Sequence, residues 1–414
     1  MKDNLLKIVV IGGGAAGFFA AITCAIAHRH TQVILLEAGT TFLSKVRISG
    51  GGRCNVTHHC FDPVQLIQYY PRGGKALRGA FTRFQPQDTV VWFESQGVKL
   101  KTEADGRMFP VTDNSETIVN CLVNSAIEAG VKLQNQTPVR SIKKNVNQFD
   151  IELKTGAILN SDRVLIATGS NPLGYRWAKE LGHTIETPVP SLFTFNLKDN
   201  RLQDLAGVSV GNVRVSLVNA DKIIQEQTGP LLITHWGLSG PAILKLSAWG
   251  ARILHENQYQ MSLVINWVSE YNSEFVRQQL LSFKSENFRK KIVNYFPFPL
   301  AKRLVYNLVI AAGITADTSW GELSKRKLEQ LLQELTKGQY KIQGKGIFKE
   351  EFVTCGGVSL KEIDFKTMAS KICPGLYFAG EILDIDGVTG GFNFQSAWTT
   401  AWLAGKAMGT CRLG

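Results

Sequence analysis

The sequence predicts an α/β fold in which a nucleotide-binding domain, built from both ends of the chain, is interrupted by an inserted β unit. Three observations predict it. A glycine fingerprint, Gly12-Gly13-Gly14-Ala15-Ala16-Gly17, follows directly on the apolar run Ile8-Val9-Val10-Ile11. Two later apolar runs also end in glycine turns, Val164-Leu165-Ile166-Ala167-Thr168-Gly169 and Leu376-Tyr377-Phe378-Ala379-Gly380-Glu381. Between them, from about 190 onward, short alternating segments replace the βα pattern.

Taken in order, 7–37 reads as a βαβ opening. Gly12 permits the sharp turn from strand to helix, Gly14 leaves room for a diphosphate, and Gly17 lets a helix over about 15–27 lie close to the strand. The free N–H groups of that helix start, at Ala15 and Ala16, face an anion together with the positive end of the helix dipole. A second strand over 32–36 ends in Glu37, where a carboxylate accepts hydrogen bonds from a ribose diol, and Ala38 follows it. The connection over 44–55 is rich in glycine and basic residues. It either continues the anion cradle through Ser49, Gly50, Gly51, Gly52, Cys54 and Asn55, with Lys45 and Arg53 offsetting two phosphate charges, or is a solvated basic loop.

Helical patterns follow at 63–70 and 87–96, then a loop at 105–110 and a helix capped by Asp113 with Glu116 three residues on. Strands are expected at 132–134, 139–143 and 148–153, and Val139 at the head of the second is counted with the cofactor-binding residues. The buried strand that ends in Ala167, Thr168 and Gly169 runs into a turn that resembles the second glycine turn of two-dinucleotide-fold flavoproteins, which packs beside their cofactor. In the insert, 194–197, 213–218 and 261–265 read as antiparallel strands, and 273–337 as a helical stretch broken at Pro297, Pro299 and Gly313. The chain returns through 351–359, presents the pair Gly380-Glu381, and closes with a helix over 393–408. The expected domains are 1–190 with 355–414 for the nucleotide, 191–270 with 338–354 for the β-rich insert, and 271–337 for a helical subdomain.

A length of 414 residues supports two or three domains. No apolar stretch reaches the ~18 residues needed to cross a bilayer, and Met1-Lys2-Asp3-Asn4 leads straight into the first strand, so neither membrane nor signal peptide is expected. Seven scattered cysteines without a CxxC pair point to reduced thiols in the cytoplasm, with no disulfide framework and no metal site. The formal net charge is +12, and 271–345 holds 13 Lys and Arg against 6 Asp and Glu. Such a stretch is a solvated helical surface, or else a funnel for an anionic substrate, a nicotinamide phosphate or nucleic acid.

Three segments in this chain order suit one extended cofactor, FAD. A fourth, Asp384 to Gln395, adds a second helix start, where Asp386, Gly390, Gly391, Phe392 and Asn393 are expected beside the cofactor. Its glycines let backbone N–H groups approach a ring edge. His235 is the side chain best suited to move a proton near neutral pH, and Arg107 could anchor an anionic substrate. Trp92, Tyr377, Phe392, Trp398 and Trp402 read mainly as core packing. Cys54 and Cys60, five residues short of adjacency with His58 and His59 between them, match a redox-active pair imperfectly.

Four stretches carry a more specific likeness: Lys45 through Thr57, Gly106-Arg107 with Phe109-Pro110, Thr234-His235-Trp236-Gly237-Leu238-Ser239-Gly240-Pro241, and Ala379-Gly380-Glu381 through Gln395. Together they resemble the BaiN-like family of NAD(P)/FAD-dependent flavoproteins over essentially the whole chain. The resemblance implies bound FAD, a Rossmann-like FAD-binding domain interrupted by a β-barrel-like insert carrying a helical subdomain, and an oxidoreductase activity. Relatives are associated with reduction of unsaturated steroid-type rings or with amine oxidation. The expected function is hydride transfer between NAD(P)H as a transient co-substrate, the flavin, and a small-molecule acceptor such as an enone or steroid-like ring. Two rivals are a flavoprotein acting on or with RNA, and a thiol-disulfide oxidoreductase using Cys54 and Cys60.

Overall fold

A strand covered on both faces has no reason to alternate, and the first strand, Leu6–Ile11, buries four consecutive apolar residues, Ile8 to Ile11. In the computed structural model, which describes residues 5–220, 222–346 and 353–410, this strand is central to a parallel array. The chain divides into two compact units, Met1–Val189 with Val353–Gly414 and Pro190–Phe352.

The main sheet of the first unit runs in the order Ile363–Asp364, Ala369–Ser370, Leu376–Phe378, Arg163–Ile166, Leu6–Ile11, Thr31–Leu36, Lys132–Gln134. The last five are parallel, and the first two extend the sheet antiparallel at one edge. Helices Ala15–Ala27 and Phe392–Met408 approach so closely that a Cβ on Gly405 would lie 2.7 Å from the Ala20 carbonyl. A buried polar chain pins the C-terminal helix: Thr57 and Thr89 donate to Gln395 Oε1 at 2.6 and 2.9 Å, Gln395 donates to Thr399, and Thr399 to the Phe84 carbonyl. A three-stranded sheet of Val139–Lys144, Phe149–Leu153 and Ile158–Ser161 and another of Thr57–His58, Arg107–Pro110 and Leu100–Thr102 complete this unit's strands outside the main sheet, with a pair of Ile185–Ser191 and Val353–Val358.

Local details differ from expectation in a few places. The helix Ser115–Glu128 is capped by Asn114, whose side chain accepts from the Glu116 N–H, and Asp113 sits outside it at φ +52 with its carboxylate paired to Lys101. Asn114 is as good a cap as aspartate, so spacing alone did not separate the two. The connection after residue 43 is helical over Ser44–Gly52, with a break at Ser49, Gly50 and Gly51. The helix expected over 63–70 splits into Pro63–Leu66 and a 3-10 turn Ile67–Tyr69. The returning strand is Val353–Val358, and 351–352 lie outside the described residues.

The second unit holds a seven-stranded antiparallel sheet, ordered Gly338–Lys341, Ser262–Asn266, Ser209–Asn219, Lys222–Thr234, Gly237–Ser239, Phe195–Asn196, Gly344–Lys345. Its two edge strands are neighbours in sequence. Ile342 donates to the Met261 carbonyl and Gln343 to that of Asn196, so the linker between them bonds to both sides of the sheet. Helices Ser273–Glu286, Lys302–Ala311 and Lys325–Lys337 share with this sheet one apolar core that includes Trp267, Trp320 and Leu335.

Candidate functional site

The first glycine turn is shaped by what cannot fit around it. Gly12 has φ +113, and a Cβ there would collide with the Ala167 carbonyl, so the first and second glycine turns meet at van der Waals distance. A Cβ on Gly17 would collide with the Gly12 carbonyl, which is why the helix can turn back onto the strand. Gly14 is the opposite case: a Cβ added there meets nothing within 4 Å. Gly14 also occupies the cap of Ala15–Ala27, and no acidic residue stands in the first helical turn, so the amides of Ala15 and Ala16 open onto that space without a competing anion. Glu37 closes the turn from the side, its two carboxylate oxygens accepting from the Gly13 N–H at 2.8 Å and the Gly39 N–H at 2.7 Å. One acceptor site per oxygen is thereby used, which leaves capacity for a diol. The Gln136 N–H bonds the Gly39 carbonyl and that of Thr137 the Glu37 carbonyl, so buried Val139, two residues on, follows directly from this corner, and Ala38 lies exposed within it.

The second turn and the C-terminal acid converge on the same end of the sheet. Glu381 Oε2 would be 3.4 Å from a Cβ on Gly169, and it accepts from Lys45 Nζ at 2.7 Å, with Ser170 Oγ 3.3 Å from the same ammonium. Gly380, at φ +77, packs where a Cβ would come within 2.8 Å of the Ala16 methyl. Thr168 Oγ1 is buried and has no hydrogen-bond partner among the described residues. At the break and end of the helix Ser44–Gly52, Gly50, Gly51 and Gly52 take φ of +58, +71 and +84 in succession, and a Cβ on either of the last two would meet nothing within 4 Å. An uncapped helix start, a run of left-handed glycines and an orphan hydroxyl are the features that a diphosphate and its flanking hydroxyls fill, so the residues present fit a dinucleotide cofactor.

Several expected contacts are committed elsewhere. Arg53 does not face the cradle as a free charge: it donates to Glu103 at 2.6 Å and stacks 4.0 Å from the Phe109 ring. Arg107 takes the other oxygen of Glu103 at 2.8 Å and Asp105 at 2.7 Å, so its charge is already matched. Lys45 faces Glu381 as well as solvent. Asp386 is fully buried in an ion pair with Arg72. With its amide turned to satisfy both partners, Asn55 accepts from the Gly391 N–H at 2.9 Å and donates to the Thr57 carbonyl at 3.0 Å. Asn393 closes its own loop by bonding both the N–H and the carbonyl of Gly387, and a Cβ on Gly390 would meet the Phe392 ring at 2.7 Å. Phe392 itself is buried between Tyr69 and His58, 4.3 and 4.6 Å away, so it packs the core.

Cys54 and Cys60 are both free and buried. Burial pushes the Cys54 thiol up to about 12 and raises that of Cys60, so neither carries the thiolate a disulfide exchange needs. His235 and Trp236 stand exposed at the turn between Lys222–Thr234 and Gly237–Ser239 in the second unit, Trp236 being 76 % exposed. Reading the sequence missed Arg72, Glu103 and Thr89, and gave Thr57 and Gln395 only as the ends of two longer stretches, because nothing local marks the buried network that joins them.

Residues 6–407 match the family described as HI0933-like protein Rossmann domain. The chain belongs to this family. HI0933-like relatives include the 3-dehydro-bile acid delta(4,6)-reductase of Clostridium scindens, 28 % identical over 97 % of this chain and 98 % of that protein. The ribosomal RNA dihydrouridine synthase of Escherichia coli is 30 % identical over 95 % of this chain and 96 % of its own length. Among solved structures, 3-ketosteroid-delta4-(5alpha)-dehydrogenase from Rhodococcus jostii shares the fold at a TM-score of 0.52 and 14 % identity, over 98 % of this chain and 97 % of that one. The protein is thus an enzyme, an FAD-dependent oxidoreductase with a Rossmann-like domain. Among the described residues no helix is long and apolar enough to cross a membrane.

Proposed function

We propose that this enzyme uses NAD(P)H to reduce a carbon–carbon double bond conjugated to a carbonyl, and that the bond it reduces is the C5–C6 bond of a uracil base in RNA. The reaction is supported by the two relatives together: a delta(4,6) unsaturated 3-oxo ring and a uracil present the same conjugated alkene, on very different carriers. The observation that carries the choice of RNA is charge, because 271–345 holds 13 cations against 6 anions, a surface suited to a polyanion and unneeded for a neutral ring. A free enone is the second reading, favoured by the bile-acid relative.

When bound, FAD supplies the acceptor for a hydride from the nicotinamide and the donor of one to the substrate. The amides of Ala15, Ala16 and the 50–52 loop would hold its phosphates, and Glu37 and Glu381 would accept from its hydroxyls. The alkene gains one hydride and one proton, and NAD(P)H leaves as NAD(P)+. The proton is delivered to the carbon next to the carbonyl.

The test is anaerobic. Holoenzyme is mixed with NADH or NADPH and bleaching of the flavin is followed; a uridine-rich RNA transcript or cyclohexenone is then added, and the RNA is weighed by mass spectrometry for a gain of two hydrogens. RNA is expected to restore the colour and gain the mass. Recovery with cyclohexenone alone would transfer the reading to free enones, and no bleaching with either nicotinamide would remove NAD(P)H.

A further inference from the structure

The second unit contains a cleft of about 490 Å³ whose lining includes Asn200, Asn294, Lys302, Arg303, Tyr306 and Asn307. Part of its lining is hydrogen-bonded together. Asn307 Nδ2 donates to the carbonyls of Arg201 and Gln203, and Arg303 donates to the Asp204 carbonyl at 3.0 Å, so the 200–204 turn is fastened to the helix Lys302–Ala311.

That helix begins against electrostatic preference. Lys302 and Arg303 occupy its first turn, no acid accompanies them, and the cap is Ala301, which has no side-chain acceptor to offer. Two cations at the positive end of a helix dipole repel it, and the uncapped amides remain to be satisfied. Both problems are solved by an anion. Lys302 is exposed and makes no hydrogen bond or ion pair among the described residues. One turn further on, Tyr306 is 46 % exposed at the same cleft. The adjoining stretch 284–303 carries Lys284, Arg289, Lys290, Lys291, Lys302 and Arg303 against the single acid Glu286.

We infer that this cleft holds an unpaired nucleotide of RNA, its phosphate on Lys302, Arg303 and the start of the helix and its base stacked on Tyr306. A cation pair beside an exposed aromatic ring is the arrangement that recognises single-stranded nucleic acid without reading its sequence. Asp204, the acid at the rim, disfavours small multivalent anions and tolerates a diester that carries one charge per residue. The inference rests on the RNA reading above.

The test uses the FAD-loaded full chain and a fluorescein-labelled RNA hairpin with an unpaired uridine loop, read by anisotropy over a salt series. Lys302→Ala with Arg303→Ala is expected to weaken binding about tenfold and to reduce the slope of log affinity against log salt by roughly 1.4, the value for two single-strand phosphate contacts. Tyr306→Ala is expected to weaken it about tenfold with the slope unchanged, and Tyr306→Phe to restore it. Lys325→Ala with Arg326→Ala is the control: that pair also opens a helix, but Ser324 caps it and neither residue lines the cleft. An equal loss from the control pair would show diffuse attraction and overturn the cleft. Wild-type binding that survives all the cleft substitutions would overturn the cleft and leave the RNA reading standing. A wild type that ignores the hairpin while reducing cyclohexenone would overturn the RNA reading itself.

Discussion

Gly14 and Gly17 stand three residues apart and are glycine for different reasons. At Gly17 the obstacle is the protein's own Gly12 carbonyl, whereas at Gly14 the protein offers no obstacle at all. Gly17→Ala should therefore damage the fold, costing about 3 kcal/mol as the turn is forced open. Gly14→Ala should change stability by no more than about 0.5 kcal/mol and release the flavin on desalting, since its methyl enters only the space a phosphate would take. Flavin retained by Gly14→Ala would show that the diphosphate lies elsewhere. Charges at the site obey a different logic. Glu103 divides its oxygens between Arg53 and Arg107, and Asp386 is buried against Arg72 across 314 residues of sequence. No local pattern marks the partner of Arg53 or of Asp386, so an arginine in a basic loop reads as available when it is already matched, whereas the acids that hold Arg107 stand two and four residues before it.

At the scale of elements, the edge of the main sheet is latched by three segments that meet at one imidazole. His183, just past the helix Pro172–Glu180, bonds Glu362 at 2.9 Å through Nδ1 and Ser370 Oγ at 2.8 Å through Nε2. Ser370 Oγ already accepts from the N–H groups of Ile372 and Cys373, so its proton goes to Nε2 and the ring is neutral, donating to Glu362. Burial lowers the pKa of His183 below its ordinary 6.5 and outweighs the carboxylate, which acts to raise it. The unfolded chain thus takes up this proton first, so stability is complete above about pH 6.5 and declines as pH falls from there to the folded value. Thermal melts taken from about pH 7.5 to pH 5.5 should drop by a few degrees, and His183→Gln should flatten that slope. A melting temperature that holds or rises over this interval would contradict the latch. The glycine turns were legible at this scale because their geometry is local, and the cap of the helix Ser115–Glu128 was misplaced by one residue because Asp113 and Asn114 are equally able to serve.

For the molecule as a whole, two units with separate cores should respond separately to heat and ligand. Calorimetry is expected to resolve two transitions. FAD at about a hundredfold excess over its Kd should raise one of them by about 2.7 kcal/mol of stability and leave the other in place. A single transition that moves as one would show the two units to be energetically inseparable. The sequence by itself determined the βαβ opening, the interruption, the cofactor class and the basic stretch, because glycine turns, apolar runs and charge density depend on residues a few positions apart. The tertiary structure alone decided which charges remain to meet a ligand. The pairs of Arg53 with Glu103 and of Arg72 with Asp386 join residues far apart in the chain, which only the packed core brings together, beyond what any single segment carries.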